Sequence, residues 1–378
     1  MSSDEPIYLD HNATTPLLPE VVDAMLPYLR EHFGNPSSGH VYGRRTHEAV
    51  ERARGQVAAL IGCESSEVLF TSGGTEANNL AILGTTRALA ETQPARRRVL
   101  SSVIEHPATV QPCRWLERQG YALELLEVDA KGRVRMRPDA VDSSTALVTV
   151  MHANNETGVV QEIAELAALA HEHGALMHTD AAQSAGKFPV KVDQLGVDLL
   201  SLAGHKLYAP KGVGALYLRA DTPLAPFMRG AGHERGLRPG TENVASIVGL
   251  GAACAAAERD LELLMTRMQV LRDRLMWRLA EAIPGLRLNG HNQLRLPNTL
   301  NLRFPGVSGE ALLARAPSIA ASTGSACHAG HTSASAVIRA MGVPEDEALG
   351  SVRLSLGRHT DEDQIDRAAA ALVKAWQA

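Results

Sequence analysis

Cysteine is scarce in this 378-residue chain: there are four, Cys63, Cys113, Cys254 and Cys327, and none falls in a C-x-x-C spacing. That pattern excludes a disulfide framework and a zinc knuckle. Four scattered thiols predict a reducing compartment, the cytoplasm. Long apolar runs are missing as well. The longest, Val244 to Ala257 between Glu242 and Glu258, is too short for a hydrocarbon core of about 30 Å and reads as a buried helix. No block of five like charges occurs, and 37 Lys+Arg against 42 Asp+Glu give a net charge of −5. The electrostatic footprint for nucleic acid or an anionic membrane is therefore absent. The opening Met1-Ser-Ser-Asp-Glu-Pro6 has no basic segment followed by an apolar core, so no secretory signal is read there. Internal repeats and low-complexity tracts are also lacking.

What is present is an alternation of short apolar runs with longer helical segments, the mark of an α/β chain. Strands are expected at Val68–Thr71, Val99–Ile104, Leu123–Val128, Ala146–Met151, Ala175–Asp180, Leu199–Ala203 and Val213–Leu218. Near-continuous apolar strands joined by helices imply a mostly parallel sheet covered on both faces, with ligands at the carboxyl ends of the strands. A long helical stretch from Glu242 to Glu281 follows. Strand-like Leu296–Phe304, Ser318–Ser322 and Val352–Leu356 then alternate with shorter helices, which predicts a second, smaller α+β domain. Its last helix, Asp361 to Gln377, opens on an acidic turn, as a helix N-terminus favours.

Four strand ends carry residues with chemistry. Phe70-Thr71-Ser72-Gly73-Gly74-Thr75-Glu76 puts backbone N–H groups and a hydroxyl at the start of a helix, a cradle for phosphate; a glycine turn with a threonine cap reads equally well. The segment lacks both the G-x-G-x-x-G and P-loop patterns, which removes support for dinucleotides and nucleoside triphosphates. In Leu202-Ala203-Gly204-His205-Lys206, a lysine directly after an apolar strand can be partly desolvated and form a Schiff base, unless it is an ordinary surface lysine. His178-Thr179-Asp180 ends another strand with a carboxylate able to pair with a protonated pyridine nitrogen, or to cap a helix. Glu105-His106-Pro107 offers an imidazole for stacking and proton transfer, or for structure alone.

The four in combination outweigh each one separately. With Tyr8-Leu-Asp-His-Asn-Ala-Thr-Thr15, Gly34-Asn-Pro-Ser-Ser38, Asn154-Asn-Glu-Thr-Gly158, Arg235-Gly-Leu-Arg-Pro-Gly-Thr-Glu-Asn243, Gly324-Ser-Ala-Cys327 and Arg353-Leu-Ser-Leu-Gly-Arg358, the chain resembles the NifS/IscS-like cysteine desulfurases, pyridoxal 5'-phosphate (PLP) enzymes of fold type I in aminotransferase class V. The resemblance covers nearly the whole sequence. It implies a large PLP-binding α/β domain over residues 16–260, with a mostly parallel seven-stranded sheet. A small α+β domain would comprise residues 1–15 and 261–378 and carry the cysteine loop. Lys206 is then the Schiff-base lysine and Asp180 the partner of the pyridinium nitrogen. His106 stacks on the ring and assists proton transfer, while Gln183 and Asn155 contact its hydroxyl side. Gly74, Thr75 and His205 hold the phosphate, joined by Thr241 from the other subunit of a homodimer. Arg353 clamps the substrate carboxylate, with Asn155 nearby.

Cys327 distinguishes the group. Small residues and glycines flank it in Ser322-Thr-Gly-Ser-Ala-Cys-His-Ala-Gly-His331, describing a loop on which a thiolate can act as nucleophile. The other three cysteines read as packing. The implied reaction turns L-cysteine into L-alanine, leaving a persulfide on Cys327 for a protein acceptor whose identity the sequence does not give. Selenocysteine lyases of the same family are the alternative, because a Cys-His pair at this position resembles theirs; a class V aminotransferase or a non-catalytic sulfur-carrier scaffold is more distant. Cys327, His328 and His331 on one loop do not make a metal site, since a fourth ligand is wanting. Two residues depart from the pattern of many relatives. Ala203 stands where they have a phosphate-binding serine, and His328 where they have Thr or Ser; an adjacent imidazole is placed to lower the thiol pKa or to face solvent.

Overall fold

The computed structural model describes residues 5–323 and 333–378. Among them, the apolar segments bounded by turns form twelve strands: β1 (Ile7–Tyr8), β2 (Val68–Thr71), β3 (Arg98–Ser102), β4 (Ala122–Leu126), β5 (Thr145–Thr149), β6 (Leu176–Asp180), β7 (Leu199–Ala203), β8 (Gly214–Leu218), β9 (Arg287–Leu288), β10 (Thr299–Arg303), β11 (Ile319–Ala320) and β12 (Ser351–Ser355). Seven of these make one sheet in the order β2-β8-β7-β6-β5-β3-β4. Pairing from β7 through β6, β5 and β3 to β4 is parallel, and β8 runs antiparallel to both of its neighbours. The expected α/β fold, with a mostly parallel seven-stranded sheet, is what forms. Each of these seven strands lies within two residues of its expected ends.

Helices on both faces explain why the sheet strands read as continuous apolar runs rather than alternating ones. Strands β2, β5 and β7 are buried at every position, whereas the edge strand β4 is covered only at Leu126. The order places β5 beside β3 on the side opposite β4, so the direction of winding reverses between β3 and β5. Open parallel sheets leave a crevice at that point, outside the carboxyl ends of the strands.

A three-stranded antiparallel sheet, β12-β10-β9, stands apart, and β1 pairs parallel with β11. The segment expected as a strand from Ser318 to Ser322 therefore contributes only two residues, and to a different partner. Strand β10 already has β9 and β12 on its two edges, and Ser322 reaches β12 only through an isolated bridge to Arg353. The 39-residue helix Val244–Ala282 ties the two sheets together. Its first half buries Ile247, Leu250, Ala253 and Cys254 in the core of the large sheet, and its second half places Leu271, Leu275 and Leu279 against the small one. Gly251 lets this helix approach a second one, Val41–Ile61, closely: a Cβ there would stand 2.6 Å from the Ala53 Cα. The last helix, Glu362–Gln377, is closed by a capping box, in which Asp361 accepts from the Gln364 N–H and Gln364 returns the bond. Among the described residues, no helix is long and apolar enough to cross a membrane.

Candidate active site

The crevice at the reversal point is real. A cavity of about 740 Å³ is lined by residues following β2 (Gly74, Thr75, Asn78), β3 (Glu105, His106), β5 (Asn155), β6 (Asp180, Gln183) and β7 (His205, Lys206), and is closed from the small sheet by Arg353. Nine expected site residues thus meet in one place. Two do not. Thr241 is exposed and outside the lining, and its expected contribution belongs to a second copy of the chain. Cys327 lies outside the described residues, as do His328 and His331.

Each group is set by the chain leaving its strand. Lys206 sits in a single 3-10 turn, Gly204–Lys206, directly after β7, and its Nζ donates to the carbonyls of Asn12 at 2.5 Å and Ala13 at 2.6 Å. Burial and the Arg353 guanidinium bring its amine down to about 8, against the opposing pull of Asp10 and Asp180. Asp180 ends β6. Its Oδ1 accepts the Ala182 N–H at 2.9 Å, so it does cap the following turn, while Oδ2 accepts the Asn78 amide at 2.7 Å.

His106 is likewise structural and available at once. Its Nδ1 accepts the Ala108 N–H at 3.1 Å, capping the helix Pro107–Arg118, so in the neutral ring the proton sits on Nε2. Burial holds its pKa below the usual imidazole value, with Asp180 raising it and Lys206 lowering it. His205 is brought to about 4 by burial and the lysines around it. Beside β2, Gly73 has φ 151°, a backbone closed to other residues, and the helix begins at Gly74 with its first N–H groups free of intrahelical partners.

Arg353 comes from β12, 5% exposed. Its Nη2 donates to Asp10 at 2.6 Å and its Nη1 to the Asn155 carbonyl at 3.0 Å, while its buried Nε has no partner among the described residues. The guanidinium is thus held in place by this chain before any substrate arrives, and Asp10 is a positioning group that motif reading did not single out. Asn12 is another: its side chain donates to Thr299 and its carbonyl accepts both Lys206 and Gln183. Asn78 is the third, fully buried with an orphaned Oδ1. Asp10 and Asn12 sit in a segment quoted for the family resemblance and Asn78 just after another, but polarity alone singles out none of the three. Ala203 is buried at the edge of the cavity and supplies no hydroxyl. The thiols of Cys113 and Cys254 are buried, that of Cys63 partly so, and burial pushes all three up to about 12, as packing cysteines should be.

The donor set suits PLP. A half-buried amine, a carboxylate fixed by two donors, an imidazole, a helix start open to a phosphate and a guanidinium all belong to residues lining one cavity. The chain belongs to the aminotransferase class-V family, whose model matches residues 7–368. It is 46% identical over 365 residues to cysteine desulfurase 2 of Trichormus variabilis, covering 96% of this chain and 90% of that protein. To the cysteine desulfurase NifS of Azotobacter vinelandii it is 46% identical over 366 residues, again covering 96% and 90%. Among solved structures, a NifS-like protein superposes with a TM-score of 0.91 at 33% identity, covering 98% of this chain and 99% of that one.

Proposed function

We infer that this chain is a cysteine desulfurase, working with PLP in the cavity at the sheet's reversal point. The observation that carries the reading is the convergence of Lys206, Asp180, His106 and Arg353 on one cavity in a chain that aligns over 96% of its length with cysteine desulfurases. PLP, bound there, would supply the electron sink that makes the substrate Cα–H acidic. Lys206 and Asp180 would hold it at opposite ends, with Gln183 at its hydroxyl side and the Gly74–Thr75 turn and His205 at its phosphate.

The chain's own groups do the rest. Arg353 orients the substrate carboxylate, with Asn155 beside it, through a guanidinium that Asp10 and the Asn155 carbonyl already hold in place. The Lys206 amine, at about 8, is close enough to neutrality to take and return a proton near physiological pH. His106, whose neutral ring carries its proton on Nε2, lines the same cavity. Cys327 is the sulfur acceptor: the substrate Cβ–S bond breaks, an S–S bond forms on Cys327, and alanine leaves. Cysteine plus thiol balances alanine plus persulfide, so no external oxidant is required. The persulfide passes to a protein acceptor. We further propose a homodimer in which Thr241 reaches the partner's phosphate site, and a reducing, cytoplasmic setting for the free thiol.

Alanine release from L-cysteine by the PLP-loaded protein, compared with release from L-selenocysteine, tests the assignment. Turnover of cysteine that is lost in Cys327→Ser is expected; negligible cysteine turnover beside rapid selenocysteine cleavage would assign the chain to the lyases instead.

A further inference from the structure

One ion pair stands at the edge of the phosphate cradle. Glu76 lies in the first turn of the helix that begins at Gly74. Its Oε2 accepts the Ser72 N–H at 2.7 Å, and its Oε1 accepts the Arg238 Nε at 2.8 Å. The Glu76 and Arg238 side chains are 10% and 23% exposed, so water does little to screen either charge.

The local chain explains the first of these bonds. The residue before the helix is Gly73, which has no side chain with which to cap it. Glu76 takes over part of that task from inside the first turn, as the acidic member of a capping box does, but reaches one residue further back, to Ser72. It thereby closes the turn from which Gly74 and Thr75 line the cavity. Helical structure then runs unbroken from Gly74 to Thr92.

Arg238 arrives on a distant segment that is itself pinned to β2. The carboxylate of Glu234, four residues earlier, accepts Arg54 Nη1 at 2.8 Å, Arg54 Nη2 at 2.9 Å and the Phe70 N–H at 2.8 Å. Glu234 and Arg235 hold φ at 47° and 58°, a conformation that costs free energy outside glycine and persists where surrounding contacts enforce it. The segment thus grips the strand that feeds the cradle at two backbone N–H groups, Phe70 directly and Ser72 through Glu76.

Electrostatics gives the pair a purpose. A carboxylate in the first turn suits the helix, but beside a phosphate it repels. We propose that Arg238 is a positioning residue for the cofactor phosphate: by pairing with Glu76 it lets that carboxylate shape the cradle without opposing the anion the cradle holds. Glu234 is already occupied by Arg54, which leaves Arg238 to Glu76. The proposal deepens the PLP reading given above and rests on it for the identity of the phosphate ester.

The test separates the phosphate from the ring. Affinities for PLP and for pyridoxal, which lacks the phosphate, are read by absorbance titration of the full chain at pH 8. Arg238→Met is expected to weaken PLP binding by roughly ten- to a hundredfold, the order expected of one unpaired charge near the anion, while changing pyridoxal binding by less than about threefold. Adding Glu76→Gln to Arg238→Met removes the unpaired carboxylate yet keeps an acceptor for Ser72, and should recover most of the loss. Arg238→Lys, a cation without the planar fork, should fall between wild type and Arg238→Met. The cradle is also read without PLP: inorganic phosphate should raise the melting temperature of the apoprotein in wild type and in the double variant, and less in Arg238→Met. Unchanged PLP affinity in Arg238→Met, an equal loss for PLP and pyridoxal, or a loss that Glu76→Gln does not reverse overturns the proposal. Should Arg238→Met not fold, Arg238→Gln supplies the neutral comparison. A wild-type protein whose absorbance does not respond to PLP refutes the cofactor reading and leaves the melting comparison with phosphate to decide this one.

Discussion

Asn78→Ala removes the amide that donates to Asp180 Oδ2 at 2.7 Å, leaving the carboxylate with the Ala182 N–H as its remaining donor. A hydrogen bond to a charged group is worth about 1.5–3 kcal/mol. Asp180 is buried, so solvent does not replace the lost donor. Less stabilised as an anion, it pairs less well with a protonated pyridine nitrogen, and the dissociation constant for PLP should rise by roughly tenfold to 150-fold. Asn78→Asp should do more damage than Asn78→Ala, because a second carboxyl at that separation opposes ionisation of the first. Absorbance titration with PLP measures the affinity. Thermal melts without PLP separate a binding defect from a folding one, since Asn78 is fully buried and also donates to Thr109 at 3.2 Å. If both variants bind PLP within about threefold of wild type, as read from the same 1.4 kcal/mol-per-decade scale, the role given to the Asn78–Asp180 contact is wrong.

Lys206→Ala should abolish the long-wavelength band while leaving the fold intact by circular dichroism; a retained band would place the Schiff base elsewhere. Asp10→Asn frees Arg353 Nη2 from its carboxylate and should raise KM for cysteine more than it lowers kcat, through looser placement of the guanidinium; a pure kcat effect would contradict the positioning role. Glu105 is buried, and burial pushes its carboxyl up to about 8 despite the bonds from Ser102 and Met151. The folded state therefore binds a proton that the unfolded state releases near pH 4.3. This contribution is fully present below that pH and declines as pH rises through about 8. Melting temperatures between pH 5 and 8 should fall less steeply in Glu105→Gln than in wild type, and parallel slopes would refute this assignment. Gly186→Ala should destabilise the fold by about 2 kcal/mol or more, because strain at positive φ adds to a Cβ contact 2.3 Å from Leu207; an unchanged melting temperature would show that the turn can relax.

Much of this architecture was legible in the sequence because a parallel sheet writes its strands as unbroken apolar runs, and because its ligand-binding residues follow those runs directly. Lys206, Asp180 and His106 each stand within four residues of a strand end. The small sheet was harder to read. Ser318–Ser322 has the composition of a strand, but its pairing is decided by β1, more than three hundred residues earlier in the chain. The supporting polar groups were harder still. Nothing in the spacing of Asp10, Asn12, Asn78 or Arg238 says which main-chain carbonyl or carboxylate each will meet, since those contacts join segments brought together only by the finished fold. His106 and Asp180 show a further limit: a sequence does not reveal that one side chain will both make a local capping bond and line the cavity, and both do.

The central claim is that sulfur moves from cysteine to Cys327. Peptide mass analysis of the PLP-loaded protein after a brief exposure to L-cysteine without reductant tests it most directly. The account predicts one added sulfur on the Cys327 peptide, in step with the alanine formed, and none on peptides carrying Cys63, Cys113 or Cys254. Alanine formed while Cys327 remains a plain thiol, or sulfur gained equally in Lys206→Ala, would contradict it.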